Sequence, residues 1–374
     1  MADPITLSVV SRGELERGEV PYGQWDDPDG LAPIGAAKLR TLLANPVHAD
    51  ADEPAQVLGV QGGRVIGRID LVPGDVHSSG GVSRIYWGSN LYVPPEFRKT
   101  LLGVSLILKS QSLAQARGAG VGASGPSRAA LPLYQNLKWA SLPLERHILV
   151  ARSRAVVERY LGHWAGARLL ATSADAALRV YRLVALARRR LMNRRLLVER
   201  LESAPAEWDE QFAHRTQPIA THRSAAWLNW LLTGAFVDDP RNRHSLFVVR
   251  DRNGRVVAYF LNKLRFHETA THRGFKDVLL GSPQDWTLFD PAAISPGELL
   301  LLAVKELLDE GADAVDYCDS DPAPRGMLRL LGFKRLGTMH MMVRPAPGGA
   351  LAQAPYQDLR NWWIRPADGD NFFC

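Results

Sequence analysis

Cysteine is nearly absent from this chain. Cys318 and Cys374 are the only two among 374 residues, too few for a disulfide framework or a thiolate metal site, so a reducing compartment is the simplest expectation. Metal-ligand spacing is missing as well. The ten histidines include no HExxH, and His267 and His272, five residues apart, fall off a common helical face, so no metal is expected. Long apolar runs are also lacking: no stretch of about eighteen apolar residues exists to span a bilayer. The opening MADPITLSVVSRGELERGEV has no basic segment followed by an apolar one, which argues against a secretory signal and for a cytoplasmic protein. Aromatic residues make up 8% of the chain and form no stacking platform beside its basic stretches, so nucleic acid is not an expected partner.

What is present is apolar mass and unevenly placed charge. A hydrophobic content of 46% is enough for a full core, and the length suggests two domains. The net charge of +6 hides a gradient: residues 1–60 hold ten acids against four bases, whereas residues 176–200 hold eight arginines against the single acid Glu199. The scarcity of lysine beside arginine points to a bacterial source. Residues 155–215 are predicted to be mostly helical, with Ser173 as N-cap of DAALRVYRLVALARRRLMNRRLLVERL. That connector either packs an apolar stripe under a solvated basic face or docks an acidic partner, a phosphorylated ligand or an anionic membrane surface.

On either side of it one pattern occurs twice. QVLGVQGGRVIGRIDLV reads as two strands turning at Gly62-Gly63, RIYWGSNLYV as a third, and Gly103 to Arg117 as a helix closed by Gly118. A strand near Gly120, a helix over SRAALPLYQNL and the strand LERHILVAR follow. Downstream, SLFVVRDRNGRVVAYFLNK is a hairpin at Asn253-Gly254, PGELLLLAVKELLDEG a helix, ADAVDYCD a strand, and RGMLRLLGFKRLGTMHMMVR the closing segment. Matching Gly63 to Gly254, Gly118 to Gly311 and Trp139 to Phe333 gives offsets of 191, 193 and 194, which argues for an internal duplication. The expected domains are 1–154, the connector 155–215, and 216–374 with its aromatic tail docked on the second copy.

The turn VPPEFRKTLLGVS carries the chemistry. A strand running through a tight turn into a helix leaves backbone N–H groups without partners, and those donors with the helix dipole attract an anion. Arg98 and Lys99 add positive charge, Gly103 removes a side chain, and Thr100 is the residue that could cap the helix instead. An offset of 193 places Gly103 on Pro296, where Ser295 and Glu298 spell a self-satisfying capping box.

Arg98-Lys99-Thr100-Leu101-Leu102-Gly103, after the strand end Val93-Pro94-Pro95, resembles the pyrophosphate loop of the GCN5-related N-acetyltransferase (GNAT) superfamily, with Leu101 standing where that loop has its first glycine. Ser127 to Trp139 is similar to the family's helix Asn-x-x-Ala-x-x-Leu-Tyr and its following Gly-Phe. The resemblance implies an α/β (α+β) chain of two GNAT-like domains, each a mixed central sheet flanked by helices, the second degenerate because Leu328 stands opposite Tyr134. It implies acetyl-CoA as co-substrate, its pantetheine arm held by Leu91, Tyr92 and Val93, its pyrophosphate by Arg98 through Val104, and Ser127 in the place of the family's asparagine. Tyr134 would protonate the departing thiolate; read from the residues alone, it is equally an amphipathic core tyrosine.

Acyl transfer from acyl-CoA to the primary amine of a small molecule, an amino sugar or a biosynthetic intermediate, is the implied activity. A non-catalytic binding module and an aminoacyl transferase of the FemABX type using aminoacyl-tRNA are the alternatives. No acid lies on RIYWGSNLYV, so Asp70, His77, Glu96 and His147 stand as undistinguished candidates for the base, with Ser89 or Asn90 able to orient a water. Asp316, Asp319 and Asp321 could receive a cationic amine or end a strand, and Trp227 and Trp230 read as a core face.

Overall fold

A computed structural model describes residues 3–19, 36–153, 196–213, 219–233, 241–268 and 277–369, with a few positions between 166 and 176. The first copy runs β1 (Thr6–Ser11), α1 (Arg12–Arg17), α2 (Ala36–Leu43), β2 (Pro54–Gln61), β3 (Arg64–Ser78), β4 (Gly81–Tyr92), α3 (Leu102–Ala116), β5 (Gly120–Ser124), α4 (Leu131–Asn136) and β6 (Ala140–Val150). Next come β7 (Leu197–Leu201), α5 (Trp208–Ala213), β8 (Ile219–Thr221) and α6 (Ala225–Thr233). The second copy runs β9 (Arg243–Arg250), β10 (Val256–His267), β11 (Val278–Leu288), α7 (Pro296–Asp309), β12 (Ala314–Cys318), α8 (Arg325–Leu331) and β13 (Lys334–Arg344), followed by α9 (Ala350–Gln353) and β14 (Trp362–Trp363).

The duplication is visible in the starting residues. Leu102 and Pro296, Gly120 and Ala314, Leu131 and Arg325, and Ala140 and Lys334 each open equivalent elements 194 residues apart. In both copies an antiparallel hairpin leads to a strand, a helix and a strand parallel to the previous one. The hairpin turns use glycine in the left-handed region, Gly63 at φ 76° and Gly254 at φ 79°.

The chain folds into two compact units whose boundaries interleave along the sequence. The first comprises Met1–Leu144, Ala206–Val237 and Met339–Cys374; the second comprises Glu145–Pro205 and Asp238–Thr338. In the first, β1 to β5 form a sheet in sequence order, and Met341–Arg344 of β13 pairs antiparallel with β5. In the second, Arg146–Val150 of β6 pairs antiparallel with β12, and β11, β10, β9 and β7 follow in order. Thus β6 and β13, equivalent in the repeat, each complete the sheet begun by the other copy.

The first core packs α3 and α4 on the sheet through Leu102, Leu106, Ile107, Val121, Tyr134 and Trp139; the second packs α7 and α8 through Leu300, Val304, Leu307, Leu328 and Phe333. Trp227 and Trp230 are buried in the first unit, the Trp230 Nε1–H donating to the Thr41 carbonyl at 2.7 Å.

Two expectations change. The aromatic tail belongs to the first unit: Trp362 and Trp363 pair with Ile219 and Ala220 of β8, which itself pairs with β3. The basic helix does not reach Leu201. Leu197–Leu201 is a strand against β9, whose edge groups need partners that outweigh local helix propensity. Ser173 is no cap; its hydroxyl donates to the Leu169 carbonyl at 3.0 Å from within helical backbone. The rest of the connector, with Phe372, Phe373 and Cys374, lies outside the described residues.

Candidate functional site

The site in the first unit begins where two parallel strands part. β4 pairs with β5 at Ile85–Gly120, Tyr86–Val121 and Trp87–Gly122, and no further, although β4 continues to Tyr92. A Cβ on Gly122 would lie 2.4 Å from the Trp87 ring, so only glycine lets the indole lie across the last paired rung. Gly88, Ser110, Gly122, Tyr134 and Trp139 help line a small cavity at this opening.

Just past the opening, β4 carries an extra residue. Arg68 faces Tyr92 and Asp70 faces Ser89, so Asn90 and Leu91 together oppose Ile69 in a β-bulge, and Asn90 is left-handed at φ 51°. One inserted residue reverses the alternation of the peptide groups beyond it. Tyr92 consequently takes the place opposite Arg68 that Leu91 would hold in a regular strand. Nothing in the sequence marks this bulge except an asparagine, the side chain best suited to that backbone region.

Val93 leads through a 3-10 turn at Pro95–Phe97 into α3. Arg98 is exposed and steadies this turn, its Nε–H donating to the Val93 carbonyl at 3.1 Å, and Lys99 is exposed beside it. Thr100 accepts the Leu102 N–H at 3.2 Å and donates to the Phe97 carbonyl at 2.7 Å, so it caps one of the leading amides. The N-cap itself, Leu101, contributes no side-chain bond, and among the described residues the N–H groups of Gly103 and Val104 donate to no acceptor. Leu101 is at φ −78° and 77% exposed, so the backbone here does not require glycine.

The structural register corrects the alignment of the two turns. With equivalent helices starting 194 residues apart, Gly103 matches Gly297, not Pro296, and Arg98 matches Ala292. The glycine is shared by both copies and faces the following helix in each, Leu133 at 3.6 Å from a Cβ on Gly103 and Met327 at 3.4 Å from one on Gly297. The capping contrast survives: Ser295 and Glu298 form the reciprocal box, with Pro296 opening α7, where α3 has Leu101, Val104 and Leu102.

Tyr134 lies on α4, 2% exposed, its ring 4.8 Å from that of Trp139 and tilted by 57°. It is both a core residue and a wall of the cavity. Ser127 is exposed and organises the turn before α4, its Oγ accepting the Ala130 N–H at 3.2 Å and its carbonyl the Leu131 N–H at 2.9 Å.

The candidate bases separate. His77 pairs with Val82 on β4, five residues from Trp87 and roughly 17 Å along the strand. It is bonded ring to ring with His222; burial and that neighbour hold its basicity below the ordinary imidazole value, against Asp75. Glu96 is exposed in the 3-10 turn. His147 belongs to the second unit, as do the three aspartates: Asp316 is clasped by Arg146, Asp319 accepts from Trp286 and Tyr317, and Asp321 accepts the Ala323 N–H. Asp70, fully buried, accepts from Gln56 Nε2 at 2.7 Å and from Asn90 Nδ2 at 2.5 Å.

One functional-looking centre escaped sequence reasoning. Glu53 is fully buried and accepts from His48 Nδ1 at 2.8 Å, the Ala49 N–H at 2.9 Å, Tyr86 Oη at 2.7 Å and Arg84 at 3.3 Å. Burial alone would raise its pKa, but the bonds from His48, Ala49 and Tyr86 outweigh it and bring the carboxyl down to about 2. Tyr86 lies 33 positions from Glu53 in an otherwise unremarkable sequence, so no spacing announced the pair.

No family sequence profile matches the chain, and no curated protein matches it. Solved structures do. A GCN5-related N-acetyltransferase from Anabaena variabilis superposes on 94% of this chain and 75% of its own, with a TM-score of 0.53 at 11% identity. Saccharomyces cerevisiae N-myristoyltransferase with bound myristoyl-CoA covers 92% of this chain and 79% of its own, with a TM-score of 0.57 at 12% identity. A tandem GNAT protein from the clavulanic acid biosynthesis pathway covers 92% and 99%, with a TM-score of 0.51 at 13% identity. At these identities the likeness is one of fold.

Proposed function

Starting from a chain with the GNAT fold, we propose that the first unit binds an acyl-CoA, with acetyl-CoA the leading candidate, and transfers the acyl group to the primary amine of a small molecule. The observation that carries this reading is the parting of β4 from β5 directly before a helix whose leading amides are left open. Leu91, Tyr92 and Val93 would hold the pantetheine arm with their backbone groups. Gly103 and Val104 would offer N–H groups to the pyrophosphate, assisted by Arg98 and Lys99, with Thr100 and Leu102 shaping the turn. Leu101 sits at the rim.

In the reaction the neutral amine nitrogen attacks the thioester carbonyl carbon, a tetrahedral oxyanion forms, and the carbon–sulfur bond breaks. The thiolate takes a proton from Tyr134, and the proton lost by the nitrogen leaves through water. A phenol suits the donor's role because it is protonated at neutral pH. Attack is direct, without an acyl-enzyme, because no cysteine lies in residues 45–150, where the acyl-CoA would bind, and Cys318 is buried in the second unit. Calorimetric titration with acetyl-CoA and with CoA tests the reading, and absence of binding to either sinks it. The burial of Tyr134 favours a second reading, a module that binds acyl-CoA without transfer; it predicts binding with no thiol release over any panel of amines.

A further inference from the structure

Gln56, Asp70 and Ser89 are buried on adjacent strands, with Gln56 opposite Asp70 and Asp70 opposite Ser89. A carboxylate with no exposure, in mid-sheet, needs polar partners. Gln56 supplies one from β2, and Asn90, a half-buried residue, supplies the other. Asn90 is also the bulged residue and one of three non-glycine residues with positive φ among those described. An L-residue in the left-handed region is disfavoured and persists only where its surroundings hold it. The bond from its side chain to a fixed, buried carboxylate is such a hold.

We infer that Asp70 is a positioning residue for the acyl-CoA site: it clamps Asn90 in the left-handed conformation, which sets which peptide groups of Leu91–Val93 face the parted strands. This inference rests on the acyl-CoA reading above. Asp70 touches no ligand in this account; it acts through the backbone of β4. The clamp therefore matters for the pantetheine arm and not for the nucleotide, which would be held at the start of α3 by residues on another element.

The test compares two substitutions that both remove the clamp. Asn90→Ala leaves a backbone that resists positive φ, and Asn90→Gly leaves one that accepts it freely. Binding is measured by calorimetry with CoA and with adenosine 3′,5′-bisphosphate, the fragment lacking phosphopantetheine. Asn90→Ala is expected to weaken CoA by about tenfold, Asn90→Gly to bind CoA like wild type, and all three proteins to bind the fragment equally. Asp70→Ala should match Asn90→Ala, and Asp70→Ala with Asn90→Gly should recover. Should Asp70→Ala fail to fold, the two Asn90 variants decide alone. Equal CoA affinity for Asn90→Ala and wild type, or equal loss in the alanine and glycine variants, overturns the clamp while leaving the acyl-CoA reading intact. Failure of wild type to bind CoA overturns both.

Discussion

The starts of α3 and α7 are the same place in two copies of one pattern, and they solve the same problem differently. Each helix opens with leading N–H groups that its own backbone cannot satisfy. In α7, Ser295 accepts the Glu298 N–H at 3.3 Å, Glu298 accepts the Ser295 N–H at 2.9 Å, and Pro296 brings no N–H at all. In α3, Thr100 covers Leu102 alone, and the positions matching Ser295 and Glu298 are Leu101 and Val104. A helix end that forgoes its own cap gives up about 1 kcal/mol of stability and keeps an anion site open. The difference lies in the cap and not in the glycine, which both copies retain for packing.

The largest expected effect concerns the other end of the contrast, Tyr134 against Leu328. Tyr134→Phe should lower thiol release from acetyl-CoA in the presence of an accepted amine by about 10²- to 10⁴-fold, with CoA affinity by calorimetry unchanged, while Leu328→Met leaves both nearly alone. An undiminished rate in the phenylalanine variant would take Tyr134 out of the chemistry.

Next in size is the buried Glu53, which sits in the first unit only. Its carboxyl titrates near 4.5 when unfolded and about 2 when folded, a difference of about 3 kcal/mol of stability. That contribution is complete above about pH 4.5 and fades as pH falls toward 2. The protection of peptides covering 48–86 against hydrogen exchange, taken relative to the intrinsic amide rate at each pH, should fall over that range, and Glu53→Gln should flatten the dependence. Indifference of these peptides to acid would show that the network contributes little.

Smaller still is the exchange of caps. Leu101→Ser with Val104→Glu installs the α7 solution in α3; it should raise stability to denaturant by about 1 kcal/mol and weaken CoA at least tenfold. Ser295→Ala in α7 should cost about 1 kcal/mol and leave CoA binding as it was. A graft that stabilises without touching affinity would break the link between open amides and ligand. The smallest effect is expected at the glycines. Gly103→Ala and Gly297→Ala each meet only ordinary contacts and should change stability by less than about 1 kcal/mol, while a loss of CoA affinity confined to Gly103→Ala would mean that the ligand approaches that backbone closely.

Much of this was legible in short windows of sequence. The hairpin glycines, the helix from Gly103 to Arg117 and the box at Ser295 are each written within about fifteen neighbouring residues, where periodicity and capping act, and the doubled order of elements emerges from comparing such windows. The register was less legible: the glycine pairs gave offsets of 191 and 193 and the aromatic pair 194, and taking 193 put Gly103 on Pro296. Helix starts fixed it at 194, because a packed helix cannot slip by one residue without moving its buried face.

The sequence by itself determined the hairpin, helix and strand order shared by the two copies, the duplication it implies and the unequal capping of two matching helices, since all three depend on local chemistry. Only the tertiary structure decided that β6 and β13 each complete the other copy's sheet, that the aromatic tail joins the first unit, that Asn90 forms a bulge under Asp70, and that Glu53 gathers four donors. The physical reason is common to all four. A strand's free edge, a bulge's extra residue and a buried carboxylate each need partners, and which residues supply them is settled by packing between segments tens to hundreds of residues apart, where no local pattern reaches.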